Sequence, residues 1–231
     1  MRVIVACECS GAVRDAFIAR GHDAISCDLK ETEVPGPHYV GDARKFIANN
    51  LCDLLIAHPP CTYLAVSGSL ELTRNPERIQ KVNEAVEFFR YFLTVSIPLV
   101  CIENPLIMLK RTGLPICSQI IQPYYFGDPY TKRTCLWLKG LPPLMPTDIR
   151  IEARCYDERI PQRRKDGSIR YDNRIGKPHL VHLPSAWVGS RSDPTSRMHK
   201  LTATDRSRTF PGVAAAMADQ WGNIKQRYGF F

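Results

Sequence analysis

Three short runs, Val3–Cys7, Asp53–Ala57 and Pro98–Ile102, are apolar at nearly every position and stop abruptly at polar or turn-forming residues. A strand with one wet face alternates apolar and polar residues. A strand that is apolar throughout is buried on both faces, as the inner strands of a parallel sheet packed between helices are. The intervening sequence supplies the helices. Ala12–Arg20 reads as a helix that stops at Gly21, a residue suited to the position just past a helix end. Asn75–Val95 carries Ile79, Val82, Val86, Phe89 and Leu93 near helical spacing. Further strands are predicted at Ala24–Asp28, Ile120–Gln122 and Thr134–Leu138, and a closing helix over Phe210–Tyr228, with Pro211-Gly212 near its start. Strands alternating with helices in this way predict an α/β fold with a parallel sheet.

The chain has 231 residues, 44% hydrophobic and 23% charged, enough for a full core and not the composition of a disordered chain. No apolar run reaches the roughly 20 residues of a membrane-spanning helix. Met1–Ala6 enters a strand-like run without the layout of a signal peptide, so a cytoplasmic protein with no membrane partner is expected. The nine cysteines are odd in number, lie mostly in apolar runs and include no CxxC pair, the usage of reduced, buried thiols. A zinc site would have to combine Cys155, His179, His182 and His199 at irregular spacing, so no metal is expected.

Charge is unevenly placed. The net charge is +8, and between Arg150 and Arg208 lysine and arginine outnumber aspartate and glutamate by seven. Past Leu141-Pro142-Pro143 the periodicity fades, and residues 145–205 are rich in Arg, Asp, Pro and Ser. Such a segment suits a polyanion-binding surface; a merely solvated loop is the plainer alternative.

In open α/β sheets ligands collect at the carboxyl ends of the strands. Cys9-Ser10-Gly11, Asp28, His58–Cys61 and Glu103-Asn104 each follow a predicted strand directly. In His58-Pro59-Pro60-Cys61 the prolines stiffen the loop and hold a sulfur at the sheet's edge, where a thiolate can attack an electron-poor carbon. Glu103 ends a neighbouring strand, where a carboxylate can bind the ring nitrogen and amino group of a cytosine and keep a proton there. Thiolate attack on cytosine C6 needs that N3 interaction as charge develops. Taken singly, Cys61 also reads as a buried loop cysteine and Glu103 as a helix cap. On the opposite side, Cys7–Gly11 is a strand-to-helix turn, Asp28 stands where an acid commonly holds ribose hydroxyls, and Asp42 follows Gly41, where an acid can hold an adenine amino group.

Taken in order, these residues resemble the cytosine-C5 DNA methyltransferase family. Glu8–Gly11 resembles its first motif, Asp28 and Asp42 its next two acidic positions, Pro60-Cys61 with Val66-Ser67-Gly68 its Pro-Cys loop, and Glu103-Asn104 its Glu-Asn motif. Phe126–Arg133 is similar to its aromatic-Gly-x-Pro…Arg segment, and Arg208–Val213 to its C-terminal motif. The likeness spans residues 1–140 and 206–231. It has departures: Cys7-Glu8-Cys9 stands where the family carries an aromatic and glycines, His58-Pro59 precedes the Pro-Cys pair, Lys132-Arg133-Thr134 reduces an Arg-x-Arg, Pro105 follows Glu-Asn, and the C-terminal motif lacks an asparagine.

The resemblance implies an S-adenosylmethionine-dependent methyltransferase with a Rossmann-like α/β fold, its mostly parallel sheet flanked by helices, and a small irregular basic recognition region. Residues 1–144 and 206–231 would form the catalytic domain and 145–205 the recognition region. It implies catalysis by Cys61, Glu103 and Arg133. Cofactor binding falls to Cys7, Glu8, Ser10, Gly11, Asp28, Leu29, Asp42, Pro60, Gly212 and Val213. Nucleic-acid contact falls to Ser67, Asn104 and Lys132, together with Arg163, Arg164 and Lys165 of the basic segment. The implied partner is double-stranded DNA with a flipped cytosine, acted on by a monomer or weak dimer in the cytoplasm of a bacterial or phage-infected cell. So short a recognition region reads few base edges, so specificity is expected to be short or relaxed. Three alternatives stay open: RNA as the substrate, a catalytically silent nucleic-acid-binding protein of the same fold, and a thymidylate-synthase-like enzyme using its Pro-Cys nucleophile on free nucleotides.

Overall fold

The computed structural model describes residues 1–66, 77–128, 130, 132–148, 156–161, 168, 180–182, 202 and 207–224. Seven strands make one sheet: β1 (Arg2–Ala6), β2 (Asp23–Asp28), β3 (His38–Val40), β4 (Leu54–Ala57), β5 (Leu99–Pro105), β6 (Gln119–Ile121) and β7 (Thr134–Lys139), in the order β3-β2-β1-β4-β5-β7-β6. The first five pair in parallel, and β7 runs antiparallel to both β5 and β6. The order 3-2-1-4-5 is the Rossmann order, here with a reversed β7 inserted ahead of β6. The fold is thus the expected Rossmann-like α/β fold, mostly parallel and flanked by helices. The reversal of β7 is the one departure from a wholly parallel reading: the turn after β6 returns the chain directly, with no crossover helix to keep the strands parallel.

The helices are α1 (Ala12–Ile18), α2 (Ala43–Asn49), α3 (Glu77–Thr94), α4 (Leu109–Thr112) and α5 (Pro211–Trp221), with a 3₁₀ turn at Pro123–Tyr125. Within the segment where the sequence shows little periodicity, β8 (Tyr156–Pro161) and β9 (Leu180–His182) pair antiparallel across a register irregularity. No helix among the described residues is long and apolar enough to cross a membrane.

The inner strands are apolar throughout because each side is covered. Val3 and Val5 of β1, Leu54 and Ile56 of β4 and Leu99 and Cys101 of β5 pack with Val13 and Phe17 of α1 and Val213, Met217 and Trp221 of α5. The alternate residues Ile4, Ala6, Leu55, Ala57, Val100 and Ile102 pack on the other face with Ile47 of α2 and Val82, Val86 and Phe89 of α3. The two-residue period of a strand thus feeds two separate cores.

Strand order reverses between β1 and β4, so the crevice outside their carboxyl ends is the place for a ligand. Both chain exits there are constrained. Cys7 leaves β1 with φ 58°, a left-handed conformation rare for a residue with a Cβ. Gly11 enters α1 at φ 75°, and a Cβ there would stand 2.5 Å from Arg14 Nη2. At the far end of the chain, Gly212 brings α5 onto the 126–128 turn; a Cβ at this position would lie 1.9 Å from the Phe126 carbonyl oxygen. The Gly212 N–H donates to Asp128 Oδ2 at 2.9 Å.

Candidate active site

A cleft of about 580 Å³ opens at the switch point, within the roughly 300–1,000 Å³ typical of small-molecule sites. One end is walled by the turn after β1 and by Asp28, the other by the Pro59–Thr62 loop and Glu103-Asn104, with Lys132 and the 207–209 segment alongside.

The loop after β4 is tied down on both sides. His58 N–H donates to the Ala6 carbonyl at 2.9 Å, and Asn104 Nδ2 donates to the Pro59 carbonyl at 2.6 Å. A tight turn follows, with Leu64 and Ala65 N–H groups donating to the Cys61 carbonyl at 3.0 and 2.9 Å. Arg78 holds the turn from α3, donating to the Thr62 carbonyl at 2.9 Å and stacking its guanidinium on the Tyr63 ring at 4.9 Å. Cys61 is left exposed at the cleft wall.

Glu103 is buried, with its Oε2 3.0 Å from His58 Nδ1. Burial alone would raise its carboxyl, but the His58 hydrogen bond and the charges of Lys132 and His58 hold it below the ordinary carboxylate value. The carboxyl is therefore ionised at rest, and His58 Nδ1–H is the donor. His58 Nε2 and Asn104 Oδ1 are buried and find no hydrogen-bond partner among the described residues. Two buried polar atoms left without partners at the Pro-Cys loop suit a polar ligand.

The surrounding protein pushes the Cys61 thiol up, Lys132 pulls it down and Glu103 pushes it up again. Cys7, which shares the cleft, is driven much higher by burial and by Cys27, Asp28 and Asp42. Iodoacetamide labelling of Cys61, followed by peptide mass mapping, should reach half its limiting rate at a pH above that of free cysteine. In Lys132→Ala the midpoint should rise further, because a cation favouring the thiolate has gone. A midpoint unchanged in the variant would show that the ammonium does not act on the thiol.

At the opposite end the loop is organised by its own acid. Buried Glu8 accepts from Val13 N at 2.7 Å and Arg14 N at 3.4 Å, and Ser10 Oγ donates to it at 3.2 Å. In dinucleotide-binding folds the N-terminus of this first helix takes the pyrophosphate. Here a carboxylate fills it, so a phosphate there would meet like charge. Asp28 ends β2 at the cleft, and exposed Leu29 follows it. The arrangement suits a nucleoside that carries no phosphate.

The loop after β2 is shaped by Arg14, which is fully buried. Its guanidinium donates to Asp15 Oδ1 at 2.7 Å, Ser26 Oγ at 3.3 Å, Thr32 Oγ1 at 3.1 Å and the Val34 and Pro35 carbonyls at 3.3 and 3.4 Å. Glu33 of the same loop accepts from Arg208 Nε at 2.7 Å, bridging to the segment before α5. Arg14 is not a candidate from sequence, because an arginine inside a helix reads as solvated. The sequence marks His58 as following a predicted strand and as a departure from the resemblance, but not its pairing with Glu103.

Of the residues singled out from sequence, Cys7, Glu8, Ser10, Asp28, Leu29, Pro60, Cys61, Glu103, Asn104 and Lys132 line this cleft. Arg133 is exposed and outside the lining; its neighbour Lys132 occupies the site instead. Gly11, Asp42, Gly212 and Val213 also lie outside it. Gly11 serves the entry to α1, and Asp42 caps α2 and pairs with Arg44 at 2.7 Å. Gly212 serves the α5 contact, and Val213 lies in the core. Ser67, Arg163, Arg164 and Lys165 lie outside the described residues, as do Cys155, His179 and His199.

No protein-family model and no curated protein matches the chain. Among solved structures it is similar to the S. pombe Dnmt2 methyltransferase, at 11% identity and a TM-score of 0.42, over 100% of this chain and 99% of that one.

Proposed function

We propose that the protein is a DNA cytosine-C5 methyltransferase that uses S-adenosylmethionine. The observation that carries the reading is the convergence of Cys61 and His58-paired Glu103, on adjoining strand ends, in one cleft; the acid-filled turn at its other end suits a phosphate-free nucleoside. The residues present fit that cofactor. Asp28 would take the ribose hydroxyls, Leu29 the adenine face, and the Cys7–Ser10 turn and Pro60 the remainder. When bound, the cofactor supplies an electrophilic methyl carbon.

The protein's own groups do the rest. Asn104 and the two prolines fix the loop so that Cys61 faces the cleft. Cys61, its proton released to solvent, forms the S–C6 bond with a cytosine swung out of its duplex. Glu103 holds N3 and the amino group as negative charge develops on the ring. Lys132 lowers the cost of both anions beside it. Once C5 carries the methyl group, its proton would pass to water, the C5–H bond pair would re-form the C5=C6 bond, and the C6–S pair would return to sulfur. Arg163, Arg164 and Lys165, with the rest of the 145–205 segment, would bind the phosphate backbone.

Purified protein incubated with tritiated-methyl cofactor should label duplex DNA in preference to tRNA, and nucleoside mass spectrometry should place the label in 5-methylcytosine. Preference for tRNA would move the substrate to RNA. Label on any atom other than cytosine C5 would overturn the assignment.

A further inference from the structure

His58 stands where the resembled family carries no histidine, and it is not a bystander. Its backbone is tied to Ala6 at the end of β1, and its Nδ1 meets Glu103 at 3.0 Å with both side chains about nine-tenths buried. Its Nε2 is buried without a partner among the described residues. A structural histidine would normally satisfy both nitrogens.

We propose that His58 is the proton reservoir for Glu103, so that the base-binding acid of this site is a histidine–carboxylate pair rather than a lone carboxyl. The inference rests on the cytosine-C5 reading above. A carboxylate held ionised cannot by itself give N3 a proton; it needs one delivered. As cytosine N3 gains basicity during thiolate addition, the His58 Nδ1–H bond breaks while a Glu103 O–H bond forms, and that O–H bond breaks in turn as the N3–H bond forms, leaving Glu103 ionised as it began. Doubly protonated imidazole becomes neutral imidazole. When Cys61 leaves C6, N3 returns the proton along the same path, so the pair is restored and consumes nothing. The charged and titratable groups that share the cleft with His58 are Glu103 from β5, Cys7, Glu8 and Cys9 from the turn after β1, Asp28, Lys30, Glu31 and Glu33 from the end of β2 and its loop, Cys61 from its own loop, and Lys132 and Arg208.

The test separates proton delivery from scaffolding. His58→Asn keeps a donor near the Nδ1 position but has no proton to release; His58→Phe removes both. His58→Asn should keep its KM for DNA within about threefold while kcat falls about 100-fold, the lower end of acid–base contributions. In the free protein, ¹⁵N-histidine spectra should show a proton on His58 Nδ1, a resonance that is missing in His58→Asn and displaced in Glu103→Gln. A His58→Asn enzyme with wild-type kcat would overturn the proposal and leave the cytosine-C5 reading intact, as would an unprotonated Nδ1. Wild-type enzyme that forms no covalent complex with 5-fluorocytosine DNA in the presence of cofactor would overturn the parent reading, and this inference with it.

Discussion

Cys61→Ser should lower methyl transfer to DNA by about 10⁴-fold or more, in line with the loss of a nucleophile in other covalent enzymes, and should abolish the adduct with 5-fluorocytosine DNA. The side chain is exposed at a cleft wall and contributes nothing to the two cores, so the variant should melt within a degree or two of wild type. Glu103→Gln should also retain DNA binding, but should lose roughly 10²–10³-fold in turnover. The amide presents an acceptor and a donor in fixed positions and cannot carry a proton to N3. Its effect should fall on kcat rather than KM, since the contact strengthens as charge builds on the ring. Filter-binding assays beside single-turnover methylation separate the two. A Cys61→Ser protein that still methylates at more than a few per cent of the wild-type rate would remove the covalent mechanism.

The fold was readable from sequence where burial leaves a strong pattern. Val3–Cys7, Asp53–Ala57 and Pro98–Ile102 are apolar because both faces are covered, and all three are inner strands. β3, α2 and α4 escaped notice because they are short and largely exposed, so neither a two-residue nor a 3.6-residue period develops. The direction of β7 is set by how the chain turns after β6, which no periodicity encodes. The candidate site was readable where it follows strand ends, at Asp28, Cys61 and Glu103. It was unreadable where a side chain acts through partners distant in sequence: His58 meets Glu103 across 45 residues, and Arg14 reaches Val34 and Pro35 across a strand and a loop. Lys132 lines the cleft and Arg133 stands exposed outside it, a choice between neighbours that sequence alone leaves open.

The second large effect is expected at Arg14, a residue that touches no reacting atom. Arg14→Leu preserves much of the volume and all of the helix propensity, yet should destabilise the fold by about 2–4 kcal/mol, because the guanidinium's hydrogen bonds to two hydroxyls, two carbonyls and half-exposed Asp15 are lost together at about 0.5–1.5 kcal/mol each. Ser26 and Thr32 keep other partners, His38 Nδ1 at 2.8 Å and the Val34 carbonyl at 2.8 Å respectively. The Pro35 carbonyl and the Asp15 carboxylate lose the donor shown for them. At this chain length each kcal/mol lowers the melting temperature by about 2–4 °C, so the variant should melt about 10 °C below wild type. The loss should reach function as well. The loop that Arg14 braces carries Lys30, Glu31 and Glu33 along the cleft beside Asp28, so calorimetric titration at a temperature where the variant is still folded should show weakened S-adenosylmethionine binding. Arg14→Lys should recover little, because one ammonium cannot serve the hydroxyl and carbonyl partners that a planar guanidinium reaches on separate edges. The flanking glycines make the site specific to that plane: a Cβ at Gly11 or Gly36 would stand 2.5 or 2.6 Å from the guanidinium. A leucine variant that melts with wild type and binds cofactor normally would mean that the loop holds its shape without the arginine. The cofactor end of the cleft would then owe its form to Glu8 and the backbone alone.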